Sequence, residues 1–258
     1  MNRWALITGS SAGIGLELAK IFAANGINLV LVARNQGRLE ALAHELERGS
    51  RIRVMVLAQD LSKPDAAKEI FERTRGTPVS ILVNNAGFGN YGEFAATDLQ
   101  VSTEMMHVNM TSLVQLTHLF LQPMLAARGG RILNVASTAA FQPGPTVSIY
   151  YASKAFVYSF SYALAVELEG TGVTVTTLCP GMTRTEFFKR AHIRESGGWP
   201  MMDARKVAEI GYQGMMKGKR VVIAGAVNKV ASFFAKRVPP RLTTAIVRWL
   251  HTSDARVG

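Results

Sequence analysis

The chain has 258 residues, 48% of them hydrophobic and 18% charged, and this composition excludes an intrinsically disordered protein. Its length suits one large α/β domain, so we expect a single domain over residues 1–258. The formal net charge is +11, but residues 1–186 carry 15 basic against 14 acidic side chains, whereas residues 187–258 carry 14 against 4. Because the larger part is almost neutral, we expect no nucleic-acid binding.

Apolar runs alternate with longer amphipathic segments along most of the chain. The runs predict seven strands, at residues 4–8, 28–33, 53–58, 81–84, 131–135, 174–178 and 220–223. Helical spacing of apolar side chains begins near Ile14, Arg38, Ala66, Val101, Tyr150 and Ala204. Since parallel neighbours need crossovers of this length, the order predicts a Rossmann-like, doubly wound, seven-stranded parallel sheet in a three-layer α/β fold.

A glycine-rich turn follows the first predicted strand and opens the first helix. Glycines let the backbone approach a pyrophosphate, whose charge then meets the N–H groups at the start of the helix. Such a turn is often only a turn, but between a strand and a helix it predicts dinucleotide binding. The expected contacts are Thr8, Gly9, Ser11, Gly13, Ile14 and Gly15.

Arg34 stands at the end of the second predicted strand, about 20 residues past the glycines. Enzymes of this plan that prefer NAD(H) usually have an acid there to accept from the ribose 2′-OH. A guanidinium favours a 2′-phosphate instead, which predicts NADP(H) over NAD(H). A solvated surface arginine is the alternative.

Tyr150 and Lys154 are four residues apart at the start of a predicted helix, so both side chains lie on one face. An ammonium beside a phenol lowers the phenol pKa from about 10 toward neutrality, where it works as acid or base. Ser137, at the end of a strand, completes a candidate catalytic group. Tyr151 is turned away from this face and is expected to pack or to line a pocket.

Seven segments in this order resemble the short-chain dehydrogenase/reductase family, over roughly residues 4–225. The order as a whole is far more specific than any one segment. The segments are Thr8 to Gly15, Asp60-Leu61, Asn84 to Gly87, Asn109, Asn134 to Ser137, Tyr150 to Lys154, and Pro180 to Thr185.

The resemblance implies a role for each catalytic candidate. Tyr150 exchanges a proton with the substrate oxygen, and Ser137 hydrogen-bonds the same oxygen. Lys154 binds the nicotinamide ribose and lowers the tyrosine pKa, while Asn109 holds a water that continues the proton relay. Tyr150 and Lys154 are thus each expected to take part in the reaction and to contact the cofactor.

Further cofactor contacts are implied by the same resemblance. They are Asp60, Leu61, Asn85, Ala86, Gly87, Pro180, Gly181, Thr183 and Thr185. Each polar group also has a local alternative. Asp60 could cap the next helix, Asn85 could satisfy a sheet edge, and Ser137 could bond to nearby backbone.

Residues 186–203 interrupt the alternation of strands and helices, and the family places its substrate-binding segment there. We expect Phe187 and Phe188 to contact the substrate together with Ser137 and Tyr150, either in a lid or in an amphipathic helix packed on the core.

Residues 226–258 predict a helical extension of the domain, with two short basic amphipathic helices around Pro239-Pro240. These helices could lie on anionic lipid, cover the substrate cleft, pack on a partner subunit, or pack on the protein itself.

The function expected from these patterns is an NADP(H)-dependent oxidoreductase that interconverts a carbonyl and a secondary alcohol by hydride transfer, with a hydrophobic small molecule as its substrate. A catalytically silent sensor and a membrane-surface protein acting through the basic extension are the alternatives. The resemblance implies a homodimer or homotetramer. The single cysteine, the scattered histidines and the absence of a signal-peptide pattern lead us to expect no metal and a cytoplasmic protein, with peripheral membrane contact left open.

Overall fold

The computed structural model describes residues 3–187, 201–235 and 237–253. Its strands are β1 (Trp4–Thr8), β2 (Asn28–Ala33), β3 (Val54–Ala58), β4 (Val79–Asn84), β5 (Gly130–Val135), β6 (Val173–Cys179), β7 (Thr183–Arg184), β8 (Met202–Asp203) and β9 (Val221–Ile223). Seven of them form one sheet in the order β3-β2-β1-β4-β5-β6-β9, with every pair parallel. The predicted seven-stranded parallel sheet is confirmed. The short pair β7 and β8 was not anticipated.

Helices connect the strands as the amphipathic pattern predicted. They are α1 (Gly13–Ala24), α2 (Gln36–Gly49), α3 (Ala66–Arg73), α4 (Leu99–Met106), α5 (Ser112–Ala126), α6 (Ser148–Glu167), α7 (Ala204–Met216), α8 (Ala226–Ala235) and α9 (Pro240–Ser253). A π-helical segment, His107–Thr111, joins α4 to α5. No helix among the described residues is long and apolar enough to cross a bilayer.

The core has two halves, one on each face of the sheet. Along β1, Ala5 and Ile7 belong to one apolar cluster, whereas Trp4 and Leu6 belong to the other. The first cluster includes residues of α1 and α7, and the second includes residues of α3, α5 and α6. Successive side chains of a strand point to opposite faces, so the strands of a sheet covered by helices on both sides are apolar along most of their length.

The sheet brings the ends of distant strands together at its carboxyl edge. The chain moves outward from β1 to β3 and then returns to form β4 on the other side of β1. The loops after β1 and β4 therefore diverge and leave a crevice, which is where ligands bind in open sheets of this type.

Candidate active site

A cleft of about 750 Å³ occupies this crevice. Its walls come from the loops that follow β1 to β6, from the start of α6 and from α8. Eighteen of the predicted site residues line it, namely Gly9, Ser11, Gly13, Ile14, Arg34, Asp60, Leu61, Asn85, Ala86, Gly87, Ser137, Tyr150, Lys154, Pro180, Gly181, Thr183, Thr185 and Phe187. The fold thus gathers segments that are far apart in the chain into one wall.

The glycine turn has the shape that its sequence predicted. Gly9 and Gly13 have φ values of 67° and 57°, in the left-handed region that side chains disfavour. At Gly15 a Cβ would lie 2.3 Å from the Gly9 carbonyl oxygen and 2.5 Å from Asn85 Nδ2. Only glycine allows α1 to start this close to the turn.

Thr8 and Gly15 shape the turn but do not line the cleft, contrary to the direct contacts predicted for them. The Thr8 hydroxyl is buried and accepts from the backbone N–H groups of Asn85 and Ala86, each at 3.0 Å. The Asn85 amide donates to the carbonyl oxygens of Thr8 (2.9 Å) and Gly9 (3.2 Å). These bonds join the carboxyl ends of β1 and β4, which are neighbours in the sheet.

The predicted adenosine end contains one cation and one anion. Arg34 is exposed at the end of β2 and faces the cleft. Burial alone would raise the pKa of Asp60, but a hydrogen bond from Ser62 and the charges of Arg34 and Lys63 outweigh it and lower that pKa. Asp60 does not cap α3, whose N-cap position is Asp65. Its carboxylate instead accepts from Ser62 N at 3.0 Å.

Ser137 and Tyr150 form the centre of the site. Ser137 follows β5, and its hydroxyl accepts from Ala139 N at 3.1 Å at the start of a 3₁₀ turn, Thr138–Phe141. The same hydroxyl is hydrogen-bonded to the phenol of Tyr150, in the first turn of α6. The predicted local bond of Ser137 and its predicted place beside Tyr150 therefore both occur.

Lys154 lies one helical turn beyond Tyr150 and is 5% exposed. Its Nζ donates to the Val135 carbonyl oxygen at 2.9 Å and lies 5.8 Å from the centroid of the Tyr150 ring. Burial lowers the pKa of Lys154 to about 8, with the nearby Cys179 acting in the opposite direction. The ammonium is thus anchored to the end of β5 beside the phenol.

The prediction of a lowered Tyr150 pKa is wrong when only the groups of this chain surround the phenol. Burial raises the pKa of Tyr150 to about 12, and the hydrogen bond with Ser137 offsets only part of that shift. Desolvation dominates because a buried phenolate loses its hydration. The sequence showed that an ammonium is near, but not how deeply the phenol is buried.

Asn109 lies in the π-helical segment, 1% exposed, and does not line the cleft. Its Oδ1 accepts from Phe88 N (3.1 Å), and its Nδ2 donates to Phe88 O (3.0 Å) and Ser153 Oγ (3.0 Å). A Cβ on Gly87 would lie 3.1 Å from Asn109 Oδ1 and 3.2 Å from Lys154 Nζ. The Asn109 side chain thus fixes the loop after β4 against α6, and the water expected at Asn109 stays a prediction.

Aromatic side chains line the substrate end. The rings of Tyr150 and Phe187 have centroids 5.2 Å apart. Tyr151 also lines the cleft, and its ring packs so tightly on Gly144 that a Cβ there would lie 2.4 Å away. Phe188, the other predicted substrate contact, lies outside the described residues, as do residues 189–200 of the predicted substrate segment.

Part of α8 also lines the cleft, through Asn228, Ala231 and Ser232. A Cβ on Gly181 would lie 2.4 Å from the Asn228 amide, so α8 packs directly on the loop after β6. The sequence pattern is compatible with an extension that covers the cleft and with one that does not. No local pattern could decide it, because residues 181 and 228 meet only in the folded chain.

The sheet order and the glycine turn at its switch point define a Rossmann-type nucleotide-binding fold. A family model described as short chain dehydrogenase matches residues 3–195. The chain belongs to the short-chain dehydrogenase/reductase family.

Known proteins similar to the chain include enzymes named for bulky substrates. The 17-beta-hydroxysteroid dehydrogenase type 3 of Mus musculus is 39% identical over 194 residues, which are 73% of this chain and 63% of that enzyme. The chain thus spans less than two thirds of this relative. A short-chain dehydrogenase from Sphingobium yanoikuyae, solved in complex with NADPH, has a TM-score of 0.82 and 32% identity over 91% of this chain and 93% of that one. The bulky-bulky ketone specific alcohol dehydrogenase of Comamonas testosteroni has a TM-score of 0.78 and 30% identity over 91% and 92% of the two chains.

Proposed function

We propose that the chain is an NADP(H)-dependent oxidoreductase that interconverts a carbonyl and a secondary alcohol by hydride transfer. The observation that carries the proposal is the hydrogen-bonded pair of Ser137 and Tyr150, with Lys154 one turn away, in the same cleft as the glycine turn. A protein that only binds a dinucleotide has no use for two hydroxyls and an ammonium at this position.

The protein backbone that lines the cleft suits a nicotinamide dinucleotide. The turn brings Gly9 and Gly13, which have no side chains, to the cleft wall, and α1 begins at Gly13. When bound, the cofactor supplies or accepts the hydride. Arg34 and Asp60 would hold the adenosine end, and Lys154 the nicotinamide ribose.

Tyr150 is the proposed general acid for reduction. With its pKa at about 12 it keeps its proton at neutral pH and can give it to a carbonyl oxygen that gains charge. Ser137 would donate a second hydrogen bond to that oxygen. In the reverse direction the phenolate would need the Lys154 ammonium beside it, since burial alone opposes its formation.

The proposed preference for NADP(H) rests on Arg34. An exposed guanidinium at the end of β2 offers two hydrogen bonds to a 2′-phosphate, and an acid at that point would repel it. The NADPH bound to the Sphingobium yanoikuyae relative is consistent with this preference.

The proposed substrate is a hydrophobic carbonyl compound. Phe187 and Tyr151 pack beside Tyr150, and Val147 and Val108 add apolar surface to the cleft, next to polar side chains such as Gln142. The relatives named for a steroid and for bulky ketones favour the same class.

Consumption of NADPH with a panel of carbonyl compounds tests the reaction. We expect turnover with bulky apolar ketones and a loss of at least about 100-fold in kcat for Tyr150→Phe. Tyr162→Phe removes a hydroxyl from an exposed residue of the same helix that does not line the cleft, and is the matched control, for which activity should persist. NADPH binding without turnover on any carbonyl would instead favour the catalytically silent sensor.

The homo-oligomeric state and the cytoplasmic location stay predictions. Sedimentation velocity of the purified chain and fractionation of the host cell address them respectively.

A further inference from the structure

Residues 226–253, which contain α8 and α9, include five basic side chains and no acidic one. The five are Lys229, Lys236, Arg237, Arg241 and Arg248. In the part of the chain that the structure describes, no carboxylate lies within ion-pair distance of Lys229, Arg237 or Arg241. These helices therefore form a strongly cationic surface.

Large apolar side chains lie exposed on the same two helices. Residues 227, 230 and 234 are three and four positions apart, so they share one face of α8. An amphipathic helix normally buries such a face against its own protein. Instead more than half of each side chain is exposed: Val227 (56%), Val230 (58%), Phe233 (52%), Phe234 (57%) and Leu242 (59%).

The opposite face of α8 is fixed to the cleft. Ser232 is 3% exposed, Asn228 and Ala231 line the cleft wall, and Asn228 Nδ2 donates to the Ala224 carbonyl oxygen at 2.7 Å. The inner face is already occupied by the protein. The apolar outer face therefore points away from the body of the enzyme.

Cations lie among the apolar side chains. The Arg237 guanidinium carbon lies 3.6 Å from the centroid of the Phe233 ring, and its Nη1 donates to the Phe233 carbonyl oxygen at 3.1 Å. Lys229 precedes Val230, and Arg241 precedes Leu242. Apolar side chains that enter the acyl boundary, with cations beside them at the level of the headgroups, match the physical profile of an interface of negatively charged lipid.

We propose that α8 and α9 form a docking surface for an anionic lipid bilayer, and that the outer face of α8 enters the acyl boundary. A nucleic acid would meet the cations but leave five apolar side chains in water. A second copy placed symmetrically would bring two cationic surfaces together, which repel. Because α8 is also a wall of the cleft, docking brings that wall to the lipid, from which an apolar substrate could enter.

Co-sedimentation of the full chain with vesicles tests the proposal. We expect binding to vesicles that mix phosphatidylcholine with phosphatidylglycerol, a steep loss of binding between 0.05 and 0.5 M salt of about tenfold or more, and little binding to phosphatidylcholine alone. This comparison uses the unaltered protein, so it does not depend on whether a variant folds.

Two double variants locate the surface. Lys229→Glu with Arg241→Glu should weaken binding by at least about tenfold, and Val230→Ser with Phe234→Ser should do likewise without removing any charge. The matched controls change exposed residues elsewhere, as Arg51→Glu with Lys68→Glu and as Phe94→Ser with Leu99→Ser, and should bind as the wild type does.

Three results would overturn the proposal. They are failure of the wild type to sediment with anionic vesicles, equal loss of binding in the control variants, and full binding by both α8–α9 variants. Failure to bind lipid, together with salt-sensitive self-association in sedimentation velocity, would assign the surface to a second copy. If the chain neither binds lipid nor self-associates, the lipid proposal is rejected and an acidic protein remains as the occupant of this surface.

Discussion

Arg38 and Glu186 form an ion pair between α2 and the segment after β7, although 148 residues separate them in the chain. Arg38 Nη1 lies 3.0 Å from both carboxylate oxygens. Glu186 lines the cleft, and Phe187 beside it contacts Tyr150. The pair thus connects the side of the cleft that holds Arg34 to the segment that reaches the substrate end.

We expect this pair to slow release of the bound dinucleotide. Both side chains are nearly half exposed, so their coupling is weak, about 0.2–1 kcal/mol. Glu186→Gln and Arg38→Met should each speed NADPH release in stopped flow, and the double variant should be no faster than either one. The coupling should decline at 0.5 M salt. Strictly additive effects of the two substitutions would contradict the connection.

Replacement of Arg34 should change cofactor preference. Arg34→Asp removes two charge-assisted hydrogen bonds to a 2′-phosphate and introduces repulsion, so the ratio of NADP(H) to NAD(H) affinity should fall by at least about tenfold. Titration of cofactor fluorescence measures both affinities. Arg51→Asp alters an exposed arginine that does not line the cleft and should leave the ratio unchanged. An unaltered ratio in Arg34→Asp would make that arginine a solvated surface residue.

Gly15→Ala should destabilise the turn. The added methyl carbon would lie 2.3 Å from the Gly9 carbonyl oxygen, so the start of α1 must move, at a cost of about 1–3 kcal/mol. Urea unfolding measures the loss, and cofactor binding should weaken with it. Gly37→Ala is the control, because its nearest neighbour would be 3.8 Å away and alanine favours the helix. Equal stability of the two variants would show that the turn relaxes freely.

Burial of Lys154 should give the stability a defined pH dependence. Its pKa is about 8 in the folded chain against 10.5 for an ordinary lysine, so between these values the unfolded chain binds more protons. The free energy of unfolding should therefore rise from pH 8 toward 10.5, by up to about 3 kcal/mol relative to Lys154→Met. Urea unfolding of both proteins at several pH values gives this difference. Parallel pH curves for the two would mean that Lys154 keeps an ordinary pKa.

Most of the sheet was predictable because parallel strands that are covered on both faces are mostly apolar. β1 and β2 match the predicted bounds, whereas β4 begins at Val79, two residues before the predicted run. Val79 pairs with Trp4, and the register shifts at the polar Ser80 before Ile81 pairs with Ala5, so the start of this strand depends on pairing with β1 rather than on local pattern. The pair β7 and β8 was missed for the same reason, since a two-residue strand has no period.

The candidate site also has features that the sequence predicted and features that it could not predict. Tyr150 and Lys154 could be placed together from their spacing, because one helical turn fixes their separation. The Tyr150 pKa could not be predicted from the sequence, since it depends on how much of the phenol the surrounding elements bury. The contribution of Asn228 and Ser232 could not be predicted either, because they reach the cleft only where α8 folds back on the loop after β6.

The sequence by itself determined which residues are the candidates for the chemistry and the order in which strands and helices follow one another. Spacing along the chain fixes local geometry, and glycines, tyrosine and lysine carry their properties wherever they lie. Only the tertiary structure decided how deeply those groups are buried, that Asn85 fastens the glycine turn, and that α8 has one face in the cleft and the other in solvent. Those facts depend on contacts between residues far apart in the chain, which no local pattern encodes.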